Sequence, residues 1–439
     1  MKKFLLKTHR IFGLIFLPIM LVWFISGFFM IIGGFPHASS SWTKKRGPMI
    51  PKEIQPHLEG QYTSKKITYC AFGWKEITEY KSSSRDTVFL KKILLEPSEA
   101  CDRYAALLME KTPVKKKLLN DLDTWIPWSH KRPLLPIYKY YFEDGTQLYI
   151  SSVNGEVVQK TTPKQRWVAY FGAIPHWLYF KSLREHTSTW VNVIKILCLF
   201  SLFAAITGYI YGWMVFFKAK KRNPYKKKAH RYHFFFGMAF GLVVITWILS
   251  GFFSLHHVSN RFAPKGIKTD VASLWQPAPW IDNNQKIFPS SLDGIVAMEW
   301  KNVGGTALLK ISSKDGSHRI ITASGQNHIW DEAFVCSRFK ELAPKWKYAL
   351  TKQDDHTITI KANDPGDSSF VLDLKEGKVL RYLDNEKRLN NFLYRGLHSF
   401  KIGSLKSIPW LRNSLLIIFL SFGTIMLFSG LWITIKKRY

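Results

Sequence analysis

The chain has 439 residues, room for two or three domains. Lysine and arginine outnumber aspartate and glutamate 63 to 31, a net charge of +32, and aromatics reach 15%. A basic balance of this size suits nucleic acid, anionic lipid or an anionic substrate. Four apolar runs, at 11–32, 191–217, 234–255 and 415–435, decide for the lipid. Each is long enough to cross roughly 30 Å of hydrocarbon as a helix.

In chain order, Lys2, Lys3, Lys7 and Arg10 precede the first run. That run is too long for the apolar core of a signal peptide and lacks a small-residue cleavage site, so it reads as a retained anchor. Lys218, Lys220, Lys221, Arg222, Lys226, Lys227, Lys228 and Arg231 fill the short loop between the second and third runs. Lys436, Lys437 and Arg438 follow the fourth. Positive charge at helix ends marks the cytoplasmic side. The organisation expected is membrane helix 1 over 1–33, an outer domain with an interfacial segment over 34–188, and helix 2 over 189–217. A basic loop over 218–232 and helix 3 over 233–256 come next. A second outer domain over 257–410, then helix 4 with a basic tail over 411–439, complete the chain. Both termini then face the cytoplasm and both outer domains face away from it. Most of the positive charge lies outside, which sets nucleic acid aside.

Within the first outer segment, 96–111 predicts a helix with Ser98 as N-cap. Strands are predicted over 137–142, 147–152 and 156–160, with Asp144-Gly145 and Asn154-Gly155 at the turns. The expectation is an antiparallel meander covered by a helix. The stretch 166–179 is aromatic and amphipathic, as at a membrane interface. The second outer segment predicts a helix over 331–341 and strands over 357–361, 368–374 and 378–382, with turns at 363–366 and 376–377. Cys70, Cys101, Cys198 and Cys336 show no CxxC pair and no zinc spacing. Cys70 and Cys101 are candidates for a disulfide in an oxidising compartment, and Cys198 reads as a small buried hydrophobe.

The chain repeats itself. His9, Gly13, Trp23, Ser26, Gly27, Phe28 and Phe29 match His233, Gly237, Trp247, Ser250, Gly251, Phe252 and Phe253 at an offset of 224. Gly155, Arg166, His176 and Gly208 match Gly377, Arg388, His398 and Gly430 at 222. Helix, outer domain, helix is thus a tandem duplication, and both copies enter the membrane in the same direction. A pseudo-twofold axis along the membrane normal would relate them.

Such an axis brings each histidine towards its own copy. His9 faces His233 at the cytoplasmic mouth, and His176 faces His398 at the outer mouth. Two imidazoles across an axis are what bis-histidine haem iron requires. Gly13 and Gly237 leave room for a planar ligand one turn along. Two b haems, held without covalent attachment because there is no CxxCH, would give electrons a path across the bilayer. His230, one helical turn before His233, is an alternative ligand. His256 and His257 at the outer end of the third helix, and His186 ten residues after His176, rank with it. His37 lies beyond the first helix, without a repeat match. His57, His130, His318, His328 and His356 read as surface residues. There is no GxGxxG, Walker loop, HExxH or GxSxG, so an electron donor must be cytoplasmic or in the membrane.

The stretch from Pro136 to Ile150 (PIYKYYFEDGTQLYI) with Asn154-Gly-Glu-Val-Val resembles the end of a PepSY domain. The His-x-x-x-Gly helix starts, Gly172-Ala-Ile-Pro-His-Trp-Leu-Tyr and Tyr394-Arg-Gly-Leu-His-Ser resemble elements of the PepSY-associated transmembrane family, and the likeness covers nearly the whole chain. It implies a bacterial inner-membrane protein with four helices and two periplasmic α+β domains. It implies an oxidoreductase of the di-haem ferric-siderophore reductase type, with ligation by His9, His176, His233 and His398, serving iron uptake. The soluble PepSY domain is also a protease-inhibiting module, so the competing expectation is a sensor or protease regulator. A subunit of a siderophore transporter is a third expectation.

Overall fold

The protein is described by a computed structural model over residues 1–436, apart from 59–61, 81–83, 221, 256–263, 265, 268–286, 304–305, 329, 343 and 376–377. The first half begins with α1 (Lys2–Ile32) and α2 (Ser40–Arg46). Strands β1 (Ser64–Cys70), β2 (Gly73–Glu79) and β3 (Arg85–Lys92) lead to α3 (Pro97–Met109). Then come β4 (Lys115–Leu119), β5 (Ile137–Tyr141), β6 (Gln147–Ser151) and β7 (Val157–Thr161). Short helices α4 (Pro163–Phe171), α5 (Ala173–Trp177) and α6 (Lys181–Arg184) descend to α7 (Thr187–Lys218).

The second half repeats this order. It has α8 (Lys228–Leu255), then β8 (Ile295–Val303), β9 (Thr306–Ser313), β10 (His318–Ile321) and α9 (Glu332–Leu342). It continues through β11 (Tyr348–Asp354), β12 (Thr357–Ala362), β13 (Ser369–Asp373) and β14 (Lys378–Leu383). Then α10 (Asn385–Asn391), a π-turn over Phe392–Gly396 and α11 (Leu397–Ser399) precede α12 (Pro409–Ile435).

The helix and strands expected at the end of each outer segment are present within a few residues. The cap of α3 differs. Glu96 is its N-cap and Pro97 opens the helix. A proline at the first helical position has no N–H to satisfy. The Ser98 hydroxyl instead lies against Lys116 Nζ. Cys70 and Cys101 are both free and buried. His328 and His356 are half-buried.

Among the described residues three antiparallel sheets organise the part beyond the bundle. Two have four strands, in the orders β4-β5-β6-β7 and β11-β12-β13-β14. The third has six, in the order β10-β9-β8-β1-β2-β3, with three strands from each half. That order is symmetric about the β1–β8 seam, where Ser64 pairs with Lys301 and Ile67 with Met298. One face of the seam buries Ile67, Trp74, Met298, Trp300 and Leu309 in a single core. The Trp300 indole N–H donates to the Ile287 carbonyl at 2.8 Å. Its polar edge is thus satisfied within the second half, while the ring shares a core with Ile67 and Trp74 of the first.

The repeat is not uniform along the chain. Gly73 and Thr306, which open β2 and β9, are 233 positions apart; Gln147 and Ser369, which open β6 and β13, are 222 apart. The difference falls between β4 and β5. There the first copy carries residues 120–136, and the second turns directly from β11 to β12. That extra loop buries Trp125 and Ile126 against Phe35, Ala169, Ala173 and Ile174, and so braces α4 and α5.

The helices α1, α7, α8 and α12 are each long and apolar enough to cross a membrane. α1 packs on α7 and α12, and α8 packs on the same two. The repeat-related α1 and α8 therefore lie on a diagonal. Leu17, Met20, Phe24, Val244, Trp247, Ile248, Leu420 and Leu427 fill the middle of the bundle.

Candidate functional site: two facing histidine pairs

The diagonal placement of α1 and α8 sets the first pair. The His9 and His233 ring centroids are 6.0 Å apart. The second pair hangs from α5 and α11, the short helices over the outer end of the bundle. The His176 and His398 centroids are 5.9 Å apart. Each pair joins a residue to its own copy, as the repeat predicts.

Every one of the four rings is held at Nδ1. His9 Nδ1 lies 2.9 Å from the Ala204 carbonyl oxygen, and His233 Nδ1 lies 3.0 Å from that of Met426. A carbonyl only accepts, so Nδ1 carries the hydrogen and a neutral ring presents a bare Nε2. At the outer pair, His176 Nδ1 is 3.0 Å from Ser26 Oγ, and His398 Nδ1 is 2.9 Å from Ser250 Oγ. Those hydroxyls donate to the carbonyls of Trp23 and Trp247, at 3.2 and 2.8 Å. They therefore accept from the imidazoles, and the same tautomer results. Burial pushes His176 down to about 3, and the neighbouring His398 adds to the shift. Burial pushes His398 down too. Both outer rings are neutral near pH 7. None of the four Nε2 atoms has a hydrogen-bond partner among the described residues.

Glycines make the space. A Cβ on Gly208 would overlap the His9 ring, and one on Gly430 would come 3.1 Å from His233 Cε1. Glycine is required for α7 to approach His9 this closely, and at Gly430 a side chain would press on the His233 ring. Beside Gly13 the nearest atom to an added Cβ is His9 Cε1 at 4.0 Å, and beside Gly237 it is Met426 Sδ at 3.9 Å. A methyl at either position would meet only ordinary van der Waals contact. Among the described residues, Ser201 Oγ and Trp247 Nε1 are buried in the bundle without a hydrogen-bond partner. Ser201 is one turn from Ala204, and Trp247 is one turn from Ser250.

The donor set is therefore two imidazole nitrogens at each end of the bundle. Two imidazoles bound to one ion at about 2 Å each would have centroids roughly 6 Å apart. Among the described residues no group of three or more His, Cys, Asp and Glu side chains gathers to hold a metal ion. A four-coordinate zinc site is not supplied by these pairs. A metal whose other ligands come from a macrocycle needs only two protein donors, and the pairs fit such a group.

The remaining candidates fall elsewhere. His230 lies one turn from His233, against Tyr225 with ring centroids 5.7 Å apart. His186 caps the start of α7, and its ring lies near Glu185. Neither has a repeat-matched partner. His256 and His257 lie outside the described residues. Sequence reading named Ser26, Ser250, Gly208 and Gly430 as matched positions but gave them no role. Their matching offsets were the available signal. The carbonyls of Ala204 and Met426 carried none, because any side chain can sit above a backbone acceptor. In comparisons with known proteins no family model matches the chain, and no curated protein matches it.

Proposed function

We propose that this chain is a bacterial inner-membrane electron-transfer protein holding two b haems, and that it reduces a ferric chelate of siderophore type on the periplasmic side. His9 and His233 would hold one haem, and His176 and His398 the other. The observation that carries this reading is the set of four imidazoles in two facing pairs, each fixed at Nδ1 and bare at Nε2. A second acceptor on a ligating histidine orients the ring and raises its basicity. A bound haem supplies one-electron exchange at its iron.

The protein's own residues do the rest. On α1, His9 and Ser26 are separated by about 26 Å of helix rise, so the two pairs stand near opposite faces of the bundle. Between them Leu17, Met20, Phe24 and Val244 exclude water. Outside, the basic surface would attract an anionic ferric complex. Reduction of Fe³⁺ to Fe²⁺ weakens binding by hard oxygen donors and frees the iron. The resemblance to PepSY-associated membrane proteins points to the same side of the membrane and the same substrate class. The four apolar helices and their charged ends support a multi-pass placement with the termini in the cytoplasm.

The test uses purified protein reduced with dithionite and freed of excess reductant. Mixing with a ferric hydroxamate and a ferrous-specific chromogenic chelator is expected to reoxidise the protein and develop the ferrous complex in step. A protein that stays reduced in the presence of the ferric chelate contradicts the substrate assignment.

A further inference from the structure

The two copies part company where the segment after the first helix of each half meets its outer domain. In the second copy, Gly266 lies so close to Ser368 Oγ and the Tyr382 phenol that a Cβ there would overlap both. The polar groups satisfy one another. Tyr382 donates to Asp384 Oδ2 at 2.9 Å, Ser368 Oγ donates to Asp364 Oδ2 at 2.8 Å, and the Ile267 N–H donates to Ser368 Oγ at 3.1 Å. The space is closed by the protein itself.

In the first copy the positions at the same offsets are Trp42 for Gly266, Lys160 for Tyr382, Thr162 for Asp384 and Phe142 for Asp364. Both carboxylates are gone, and a cation stands where the phenol stood. A cleft of about 180 Å³ opens there, lined by His37, Ala38, Ser39, Trp42, Lys160 and Gln165. No carboxylate lines it. Lys160 Nζ stands 4.3 Å from the Trp42 ring centroid, which restrains the ammonium without neutralising it. Lys160 forms no ion pair among the described residues, whereas Lys65, Lys75, Lys116, Lys139 and Lys181 each face a carboxylate. The Gln165 carbonyl oxygen accepts from the Thr162 N–H at 2.9 Å in the cap of α4. The end of that side chain left to act in the cleft is its donating NH₂. Ser39 adds a hydroxyl, 2.6 Å from Ser41 Oγ, and His37 an imidazole, both able to donate. A fixed cation ringed by donors, without a carboxylate, selects an oxyanion.

The cleft stands at the N-terminal end of α4. At the other end of that helix, Phe171 stacks on Phe29 in the last turns of α1 at 5.3 Å, and Trp167 stacks on Phe171 at 5.5 Å. Trp167 is 65% exposed and Tyr170 51%. Amphipathic aromatics of this kind sit at headgroup level, and Trp167 and Tyr170 follow the cleft residue Gln165 by about 3 and 8 Å of helix rise.

We propose that this cleft binds a phosphate-class oxyanion, from an anionic lipid headgroup or from free phosphate, through Lys160 with Gln165, Ser39 and His37. The lipid source rests on reading the four helices as membrane spans; the oxyanion site does not, and neither depends on haem. The experiment uses full-length protein stripped of lipid in detergent. Calorimetric titration with inorganic phosphate forms one arm. Native mass spectrometry after adding phosphatidylglycerol or phosphatidylcholine forms the other. Lys160→Gln and Gln165→Ala are compared with Lys387→Gln, the copy-two residue at the Gln165 position. Saturable binding that Lys160→Gln weakens about tenfold or more, that Gln165→Ala also weakens and that Lys387→Gln leaves alone supports the site. Retention of phosphatidylglycerol over phosphatidylcholine with that pattern identifies the lipid as the source, and binding of phosphate alone identifies the soluble anion. Absence of saturable binding in both arms, or binding that Lys160→Gln leaves unchanged, overturns the proposal.

Discussion

At the scale of single residues, each facing pair consists of two imidazoles and the groups that hold their Nδ1 atoms. The four histidines were legible in the sequence because duplication repeated them with their surroundings. Their supports were only partly legible. Ser26 and Ser250 recur at the histidines' own repeat, but a serine in an apolar helix ordinarily bonds back to its own helix, and each also does so here. Ser250→Ala is expected to lower occupancy of the His176/His398 centre while the proposed His9/His233 centre persists. Loss of such a supporting partner costs about 10–100-fold in metal affinity, and haem per protein, measured after extraction, reads the change. Gly208→Ala makes the complementary prediction. Its methyl would enter the His9 ring position, so the proposed His9/His233 centre should be lost and the His176/His398 centre kept. Equal loss of both centres in either variant contradicts the separate assignment of the pairs.

At the scale of elements, the strands absent from the predicted set are those of the six-stranded sheet, with β4 and β11 at the edges of the other two. Their pattern is obscured by charge. In β1 and β2, Lys65 and Glu76 are buried and lie 3.1 Å apart, and buried Lys75 pairs with Glu156 at 2.6 Å. A buried ion pair reads as a polar surface in sequence, because burial of charge requires a partner that periodicity cannot display. The β5–β7 and β12–β14 hairpins were legible because their alternation is apolar and glycine marks most of their turns. At the seam, Trp300 is fully buried between the halves. Trp300→Ala should destabilise the outer part by about 3–5 kcal/mol, read as a lower denaturation midpoint by circular dichroism of the intact chain. A change under about 1 kcal/mol would mean the seam contributes little to holding the sheet together.

At the scale of the whole molecule, the pseudo-twofold arrangement places two copies of one unit around a common sheet above and a common bundle below. The tandem duplication was legible in the offsets 224 and 222. The joining of the two outer segments into one sheet was not, since no periodicity within one copy reports pairing with the other. Each half alone leaves an unpaired edge at β1 or β8 and half a bundle, and unpaired edges aggregate. Separate expression of residues 1–219 and 223–439 should yield aggregated material, and co-expression should restore a monodisperse complex by size exclusion. A soluble, monomeric half with native secondary structure contradicts this dependence.

The central claim is that iron sits between the facing imidazoles. The most direct measurement is the absorption spectrum of the purified intact chain, before and after dithionite. The account predicts a Soret band that shifts on reduction, with about two haems per chain, and loss of one centre each in His9→Ala and His398→Ala. Protein loaded under haem-replete growth that shows no Soret band, or a band that survives the loss of all four histidines, contradicts it.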